Sequence, residues 1–439
     1  MDIPVSKELI DNVAAQEGIF DIGNASIREL VRLANVVEEK TGIKFIRMEM
    51  GVPGLPANKT GVEAEIGALK KGVASKYPMI DGIPQLKTEV SLFVKNFINQ
   101  SVSPRGCIPA VGAMQAAMAA FMLVSRADKN RNTTLFIDPG FPVQKLQHKV
   151  LALPFESFDI YNYRGEKLEQ KLRTYLEKGN ISSIIYSNPN NPSWICLTET
   201  ELEIIGRLAN EYDAIVIEDL AYFGMDFRKD LSMPGKPPYQ ASVSNYTDNY
   251  MLLLSCSKVF SYAGQRIASL VISDKLFMRE YPNLQAYFQT KRFGNAAIYG
   301  ALYSLSAGTA HSAQYAMAAM LQEVNEGKVD LVEGVKEYEK RARLMKKVFK
   351  EHGFYIVYDK DGTEEVADGF YFTLAYPGMS GRQLIEALFQ YGISAISLDI
   401  TGSERTDGLR ACVSQIQLKD IPELERRVRL FHERYGGLN

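Results

Sequence analysis

A chain of 439 residues, 46% hydrophobic and 23% charged, has the composition of an ordinary globular protein and the length for about two or three domains. Its 50 basic and 52 acidic side chains leave a formal charge of −2, with no basic surplus to draw it onto nucleic acid. The four cysteines form no CxxC pair and the four histidines show no metal-ligand spacing, so a metal site is not expected and the thiols read as reduced and partly buried.

The opening MDIPVSKELIDNVAA has no basic stretch followed by an apolar run, so no secretory leader is expected. The most apolar segment, residues 113–124, is too short to span a bilayer. A cytoplasmic protein without a membrane partner is the expectation. Ser26 and Glu29 form a capping box ahead of a helical apolar pattern that ends near Gly42. Pro84 suits a first helical position, and that helix runs to about Gln100. Between about residues 107 and 273, short apolar runs (CIPAV, TTLFI, SSIIYS, AIVIED, YMLLLS, IASLVIS) alternate with helical stretches, one of them capped by Thr198 and Glu201. Such runs are expected of strands covered on both faces, which predicts an α/β unit with a mostly parallel sheet flanked by helices. Beyond about residue 310 helical patterns dominate, including Val335 to Lys350. Three strand-like runs (GFYFTLAY, GISAISLDI, GLRACVS) and a closing helix from Pro422 to Tyr435 complete a smaller α+β domain. The predicted division is 51–315 for the large domain, and 1–50 with 316–439 for the small one.

In open sheets of this kind ligands bind beyond the carboxyl ends of the strands, and four polar clusters fall there. Gly112-Ala113-Met114-Gln115 follows IPAV, where helix amides could approach an anion; a plain strand–turn–helix junction has the same sequence. Asn188-Pro189-Asn190-Asn191-Pro192 follows SSIIYS and is either a cleft-lining loop or a turn. Asp219 ends AIVIED, with Tyr222 three residues on; a buried acid must be paired, hydrated or functional. Lys258 follows YMLLLS in Ser255-Cys256-Ser257-Lys258, with Arg266 close behind. An ammonium group at the end of a buried strand is unusual, and partial desolvation suits it to carbonyl chemistry.

Together these motifs, in this order and across nearly the whole chain, resemble the class I/II aminotransferases, pyridoxal-phosphate (PLP) enzymes of fold type I similar to aspartate aminotransferase. The resemblance implies a large PLP-binding domain and a smaller α+β domain, with PLP held by Lys258 as an internal aldimine. It implies ping-pong transfer of the amino group of an L-amino acid to a 2-oxo acid. Asp219 would face the pyridine nitrogen, and Tyr222 and Asn191 would donate to the phenolic oxygen. Gly112, Ala113, Met114, Ser255, Ser257 and Arg266 would form the phosphate cup, and Phe141 in Asp138-Pro139-Gly140-Phe141-Pro142 would stack on the ring. Arg410 in Gly408-Leu409-Arg410 would clamp the substrate α-carboxylate, with Gly51 and Asn191 beside it. Tyr77 opens Tyr77-Pro78-Met79-Ile80-Asp81-Gly82-Ile83-Pro84-Gln85-Leu86, the stretch whose tyrosine reaches the cofactor phosphate of the other subunit, implying a homodimer with shared active sites.

Two departures stand out. Asn191-Pro192-Ser193-Trp194 replaces the family's N-P-T-G, putting the single tryptophan of the chain where glycine is usual. The charged stretch from Ser403 to Asp407 also differs. Lys291 and Arg292 lie in a region where some dicarboxylate-specific members place an arginine, without matching its spacing. A PLP-dependent β-lyase or decarboxylase would use the same cofactor residues. A serine acyl-enzyme is disfavoured: Ser255-Cys256-Ser257-Lys258 fits S-x-x-K, but Lys40-Thr41-Gly42 lies upstream of it and no S-D-N occurs. No G-x-G-x-x-G follows a strand, which disfavours a dinucleotide site. The short, non-basic N-terminal segment disfavours a DNA-binding regulator.

Overall fold

The computed structural model describes residues 3–437. The chain forms two units, one from residues 55–190 and 196–335, the other from the described parts of 1–54, 191–195 and 336–439.

The first unit is built on seven strands: β1 (Cys107–Val111), β2 (Thr133–Asp138), β3 (Phe155–Asp159), β4 (Ile181–Ser187), β5 (Ile215–Leu220), β6 (Tyr250–Ser255) and β7 (Ile267–Ile272). They are hydrogen-bonded in the order β1-β7-β6-β5-β4-β2-β3. Strand β7 is antiparallel to both neighbours, and every other pair is parallel. All residues of β2, β5, β6 and β7 are buried, which is why these segments carry consecutive apolar residues rather than an alternating pattern. The helix Gly112–Ala127 buries Ala116, Ala117, Ala119 and Ala120; side chains this small let its backbone approach the sheet, while Phe121 and Leu123 fill the space around it. Strand β3 was not predicted. It is an edge strand whose sequence FESFD buries only its last two residues, so it lacks the continuous apolar signature of the interior strands.

Because β7 runs against β6 and β1, its first residues lie beside their last ones: Ile267 pairs with Val111, and Ala268 with Ser255. Arg266, the residue before β7, is thereby delivered to the edge where β1 leads into Gly112 and β6 ends at Ser255. Asp219 belongs to the same edge, paired in register with Ser187 and Leu253. This is the carboxyl end of the parallel strands. The capping box at Thr198 and Glu201 forms as predicted and starts the helix Glu199–Glu211. The helix His311–Asn325, which the predicted boundary at 315/316 would divide, packs as one rod on the helices Lys59–Lys70 and Pro84–Ile98 of this unit. Its buried stripe includes Ala313, Met317, Met320 and Val324.

The second unit holds an antiparallel sheet ordered Ile396–Ser397, Gly408–Cys412, Tyr371–Ala375, Tyr355–Ile356, with the helices Ile27–Thr41, Glu337–Glu351, Gly381–Gln390 and Ile421–Tyr435. The helix Ile27–Thr41 starts at the predicted capping box and stops at Gly42, whose φ of 73° is left-handed. The run GISAISLDI, predicted as one strand, divides at Ala395: Ile393–Ser394 pairs in parallel with Ile46–Arg47, and Ile396–Ser397 joins the antiparallel sheet. The chain changes pairing partner there, so the single hydrophobic run serves two sheets. No helix among the described residues is long and apolar enough to cross a membrane.

Candidate cofactor and carboxylate sites

At the carboxyl edge of the sheet, Gly112 opens its helix with a φ of +70°, and a β-carbon there would lie 2.4 Å from Nη2 of Arg266. The backbone angle favours glycine, and its lack of a side chain lets the guanidinium lie against the backbone. The N-cap residue Val111 makes no side-chain capping bond, so the amides of Gly112, Ala113 and Met114 carry the partial positive charge of a 16-residue helix without a polar side chain over them. Arg266 is exposed, donates Nη1 to the Ala263 carbonyl at 2.9 Å, and ion-pairs with no carboxylate among the described residues. Ser255 caps the short helix Cys256–Val259, its hydroxyl accepting from the Ser257 amide at 3.1 Å. That turn places Lys258 half-buried directly beyond β6. Uncapped amides, a close approach over glycine and an unneutralised guanidinium together make an anion cradle suited to a phosphate.

Asp219 is 7% exposed. Its Oδ2 accepts from Gln144 Nε2 at 2.9 Å and its Oδ1 from the Ala221 amide at 3.1 Å. Both donors are neutral, and burial pushes the carboxyl up to about 6. Gln144 sits one turn into the helix Pro142–Val150, which is capped by half-buried Phe141. Its carbonyl meets Nδ1 of His148 at 3.0 Å. His148 is itself fully buried among Phe121, Phe136 and Phe155, and that burial lowers its pKa. Gln144 is therefore held from both sides. It was not singled out in the sequence; its only signal is its position two residues after Pro142. An acid buried among neutral donors favours a cationic partner, which would draw its pKa back down. Tyr222 is buried three residues further on.

In the other unit, Arg410 is 1% exposed. Nη2 donates to the Glu49 carbonyl at 2.5 Å and Nη1 to Oδ1 of Asn191 at 3.5 Å, while Nε has no partner among the described residues. No carboxylate ion-pairs with it there; the Glu49 carboxylate is engaged by Arg47 at 2.7 Å and by Ser394. A buried guanidinium with neutral neighbours and a spare donor is an anion site in waiting, because a buried charge is costly until it is paired. The backbone explains how Glu49 comes there: Met48 donates to the Ser394 carbonyl and accepts from the Cys412 amide, both at 2.9 Å.

Thr373 lies opposite Arg410 in the sheet, so Tyr371, two residues along, is its diagonal neighbour on the same face. The Tyr371 ring centroid is 4.8 Å from Cζ of Arg410, within cation–π distance. A β-carbon at Gly51 would lie 2.0 Å from the Tyr371 hydroxyl oxygen, so glycine is needed there. Trp194 has a φ of 62° and is fully buried. A left-handed non-glycine residue costs about 1–2 kcal/mol, whereas burying an indole contributes roughly 4–6 kcal/mol. Burial wins, and the backbone turn natural to glycine is retained by a bulky side chain. Tyr371 and the Glu49 carbonyl had not been singled out from sequence.

Tyr77 stands 93% exposed on the first unit. Lys291 is exposed and Arg292 half-buried, their backbone held by an antiparallel bridge between Glu280 and Arg292. No His, Cys, Asp and Glu cluster able to hold a metal occurs among the described residues.

The sequence profile of aminotransferase class I and II matches residues 45–427. A probable aspartate aminotransferase of Methanocaldococcus jannaschii is 25% identical over 257 residues, 58% of this chain and 62% of that protein, so the match spans about three fifths of that relative. Aspartate aminotransferase of Pyrococcus horikoshii is 24% identical over 326 residues, covering 73% of this chain and 76% of its own. Among solved structures, aspartate aminotransferase from Thermotoga maritima superposes with a TM-score of 0.74 at 19% identity, covering 94% of this chain and 98% of that one. The fold is that of the fold type I aminotransferases. With the profile covering most of its length, the chain belongs to the aminotransferase class I and II family.

Proposed function

We propose that the protein is a PLP-dependent aminotransferase that moves the amino group of an L-amino acid to a 2-oxo acid in two successive half-reactions. The observation that carries this reading is the gathering of Lys258, the Gly112–Arg266 cradle and the buried Asp219 on one sheet edge. When bound, PLP supplies an electron sink that makes the hydrogen on the substrate α-carbon acidic. The cradle fits its phosphate: the amides of Gly112, Ala113 and Met114, the hydroxyls of Ser255 and Ser257, and Arg266 hold it. Phe141 would stack on its ring. Asp219 would keep a proton on the pyridine nitrogen, and Gln144 holds Asp219 in place. Tyr222, and by the family resemblance Asn191, would donate to its phenolic oxygen. Lys258 would hold the cofactor and would serve as the base that takes and returns the proton at the substrate α-carbon. Arg410 grips the α-carboxylate, with Gly51 beside it. The exposure of Tyr77 supports a homodimer in which that tyrosine reaches the partner subunit's cofactor phosphate. Composition and charge support a cytoplasmic enzyme with small-molecule partners.

The visible absorption spectrum of the PLP-loaded protein tests this, recorded while amino acids are added without any 2-oxo acid. The expected result is a visible band that moves to shorter wavelength with one 2-oxo acid released per site. Failure to bind PLP would overturn the proposal. A persistent band with release of ammonia or carbon dioxide would replace it with a β-lyase or decarboxylase.

A further inference from the structure

The segment that departs from the family pattern leads to a second determinant of substrate binding. We propose that Trp194, acting through Tyr371, positions Arg410 and so sets how tightly the substrate carboxylate is held. This rests on the reading of Arg410 as the carboxylate site. Trp194 and Tyr371 are positioning residues in it.

The contacts form a continuous path within one unit. Trp194 is wedged against Gly369, where a β-carbon would lie 2.0 Å from its Cε2 atom. Gly369 therefore fixes the indole in depth. The indole meets the Tyr371 ring at 6.3 Å between centroids and 63°, an edge contact. Tyr371 in turn covers Arg410 at 4.8 Å, while its hydroxyl fills the space over Gly51. The tyrosine is thus confined on both sides, by Trp194 at its ring and by the Gly51 backbone at its hydroxyl.

Arginine has a long, rotamer-rich side chain, and its two anchors, the Glu49 carbonyl and Asn191, hold only the guanidinium nitrogens. The Tyr371 ring, 4.8 Å from Cζ of Arg410, supplies the missing restraint. Trp194 acts on the second anchor as well, because Asn191 and Trp194 stand three residues apart in the same short segment of this unit. Losing the indole would free Tyr371 to tilt and the Asn191 amide to drift. Pre-organisation of this kind appears in ground-state and transition-state binding alike, and therefore in KM rather than kcat.

A tryptophan that merely filled space would behave differently. Its truncation would lower thermal stability and leave KM alone.

The test compares Trp194→Leu and Tyr371→Leu with Trp194→Phe and Tyr371→Phe in the PLP-loaded enzyme. The leucine variants are expected to raise the amino-acid KM by up to roughly tenfold, the scale of having to order one rotamer-rich side chain on binding, with kcat within about twofold. The phenylalanine variants should recover most of that loss, since each keeps an aromatic ring. Parental KM in both leucine variants would overturn the inference. Should those variants fail to fold, the parent decides it, because Trp194 is the only tryptophan and its emission reports on this path alone. Titrating the PLP-free full-length protein with its best amino-acid substrate should change that emission saturably, and Arg410→Met should abolish the change. Emission indifferent to the amino acid would also overturn it. The emission titration holds whichever PLP reaction the parent runs, so a failure of the transamination proposal stays distinct from a failure here.

Discussion

Two arginines in two regions prepare for an anion in opposite ways. Arg266 is exposed, lies on the backbone of Gly112 and shares its task with helix amides. Arg410 is fully buried, capped by one carbonyl, one amide and one aromatic face, with Nε unpartnered. Water solvates the first charge when no anion is present; nothing equivalent solvates the second. On the proposed reading the cradle at the sheet edge is built for shape, whereas Arg410 stores electrostatic free energy that an arriving carboxylate would release. Binding at Arg410 should therefore be the more sensitive to substitution.

The largest effect belongs to neither arginine and calibrates both. Lys258→Ala should keep the fold and lose the visible band, with turnover reduced on the order of 10^4-fold or more, since in the proposed mechanism one side chain would both hold the cofactor and move the proton. Absorption and steady-state rates check it, and robust turnover by the variant would break the reading for both regions. Next comes Arg410→Met. Removing the buried guanidinium should lower kcat/KM by about 10^2–10^3-fold, chiefly through KM. Yet the PLP-free protein should melt no lower than the parent, because an unpaired buried charge is replaced by an apolar side chain of similar length. The exposed Arg266→Met should instead weaken PLP retention and leave the melting temperature of the PLP-free form unchanged, where Arg410→Met leaves it unchanged or raised. Calorimetry on the two variants side by side would settle whether the contrast holds.

Asp219 sharpens the comparison from the acidic side, as a buried charge of opposite sign. Its folded pKa of about 6 stands above the ordinary value of 3.8. Between those values the folded state binds more protons than the unfolded one, so stability falls as pH rises. The loss amounts to about 3 kcal/mol across the window. Asp219→Asn removes this dependence. The stability of the PLP-free variant relative to the parent should rise by about that amount from pH 4 to pH 7, read by denaturant titration. A flat difference would mean that Asp219 is not desolvated.

The contrast between the regions also marks what was legible in the sequence. Interior strands were, because burial on both faces favours runs of consecutive apolar residues, and a lysine or aspartate at the end of such a run is conspicuous. The edge strand Phe155–Asp159 and the charged hairpin of Lys360–Asp361 with Glu364–Glu365 were not, since neither is enclosed on both faces. Lys258, Asp219 and Arg266 are brought to one edge as the strand order requires, and Arg410 is buried. The surroundings of Arg410 were hidden. The Glu49 carbonyl has no side-chain signature, and Tyr371 becomes a neighbour only through the antiparallel register that sets Thr373 opposite Arg410. Gln144 was hidden for the same reason, reaching Asp219 from a different element.

The smallest effect probes the cradle alone. In Gly112→Ala the new methyl would sit 2.4 Å from Arg266 Nη2 at a φ of +70°. Arg266 is exposed and can swing aside, so the clash is relieved, but the guanidinium then leaves the helix amides. The left-handed backbone adds about 1–2 kcal/mol, of which part falls on the PLP-free protein as well. PLP retention, measured as its dissociation constant, should weaken by roughly tenfold, with the amino-acid KM of the saturated enzyme unchanged. If KM moved as well, the cradle and the carboxylate arginine would be energetically coupled, and the separation of shape from stored charge would fail. Unchanged retention would instead show that Arg266 holds its phosphate without help from the Gly112 backbone.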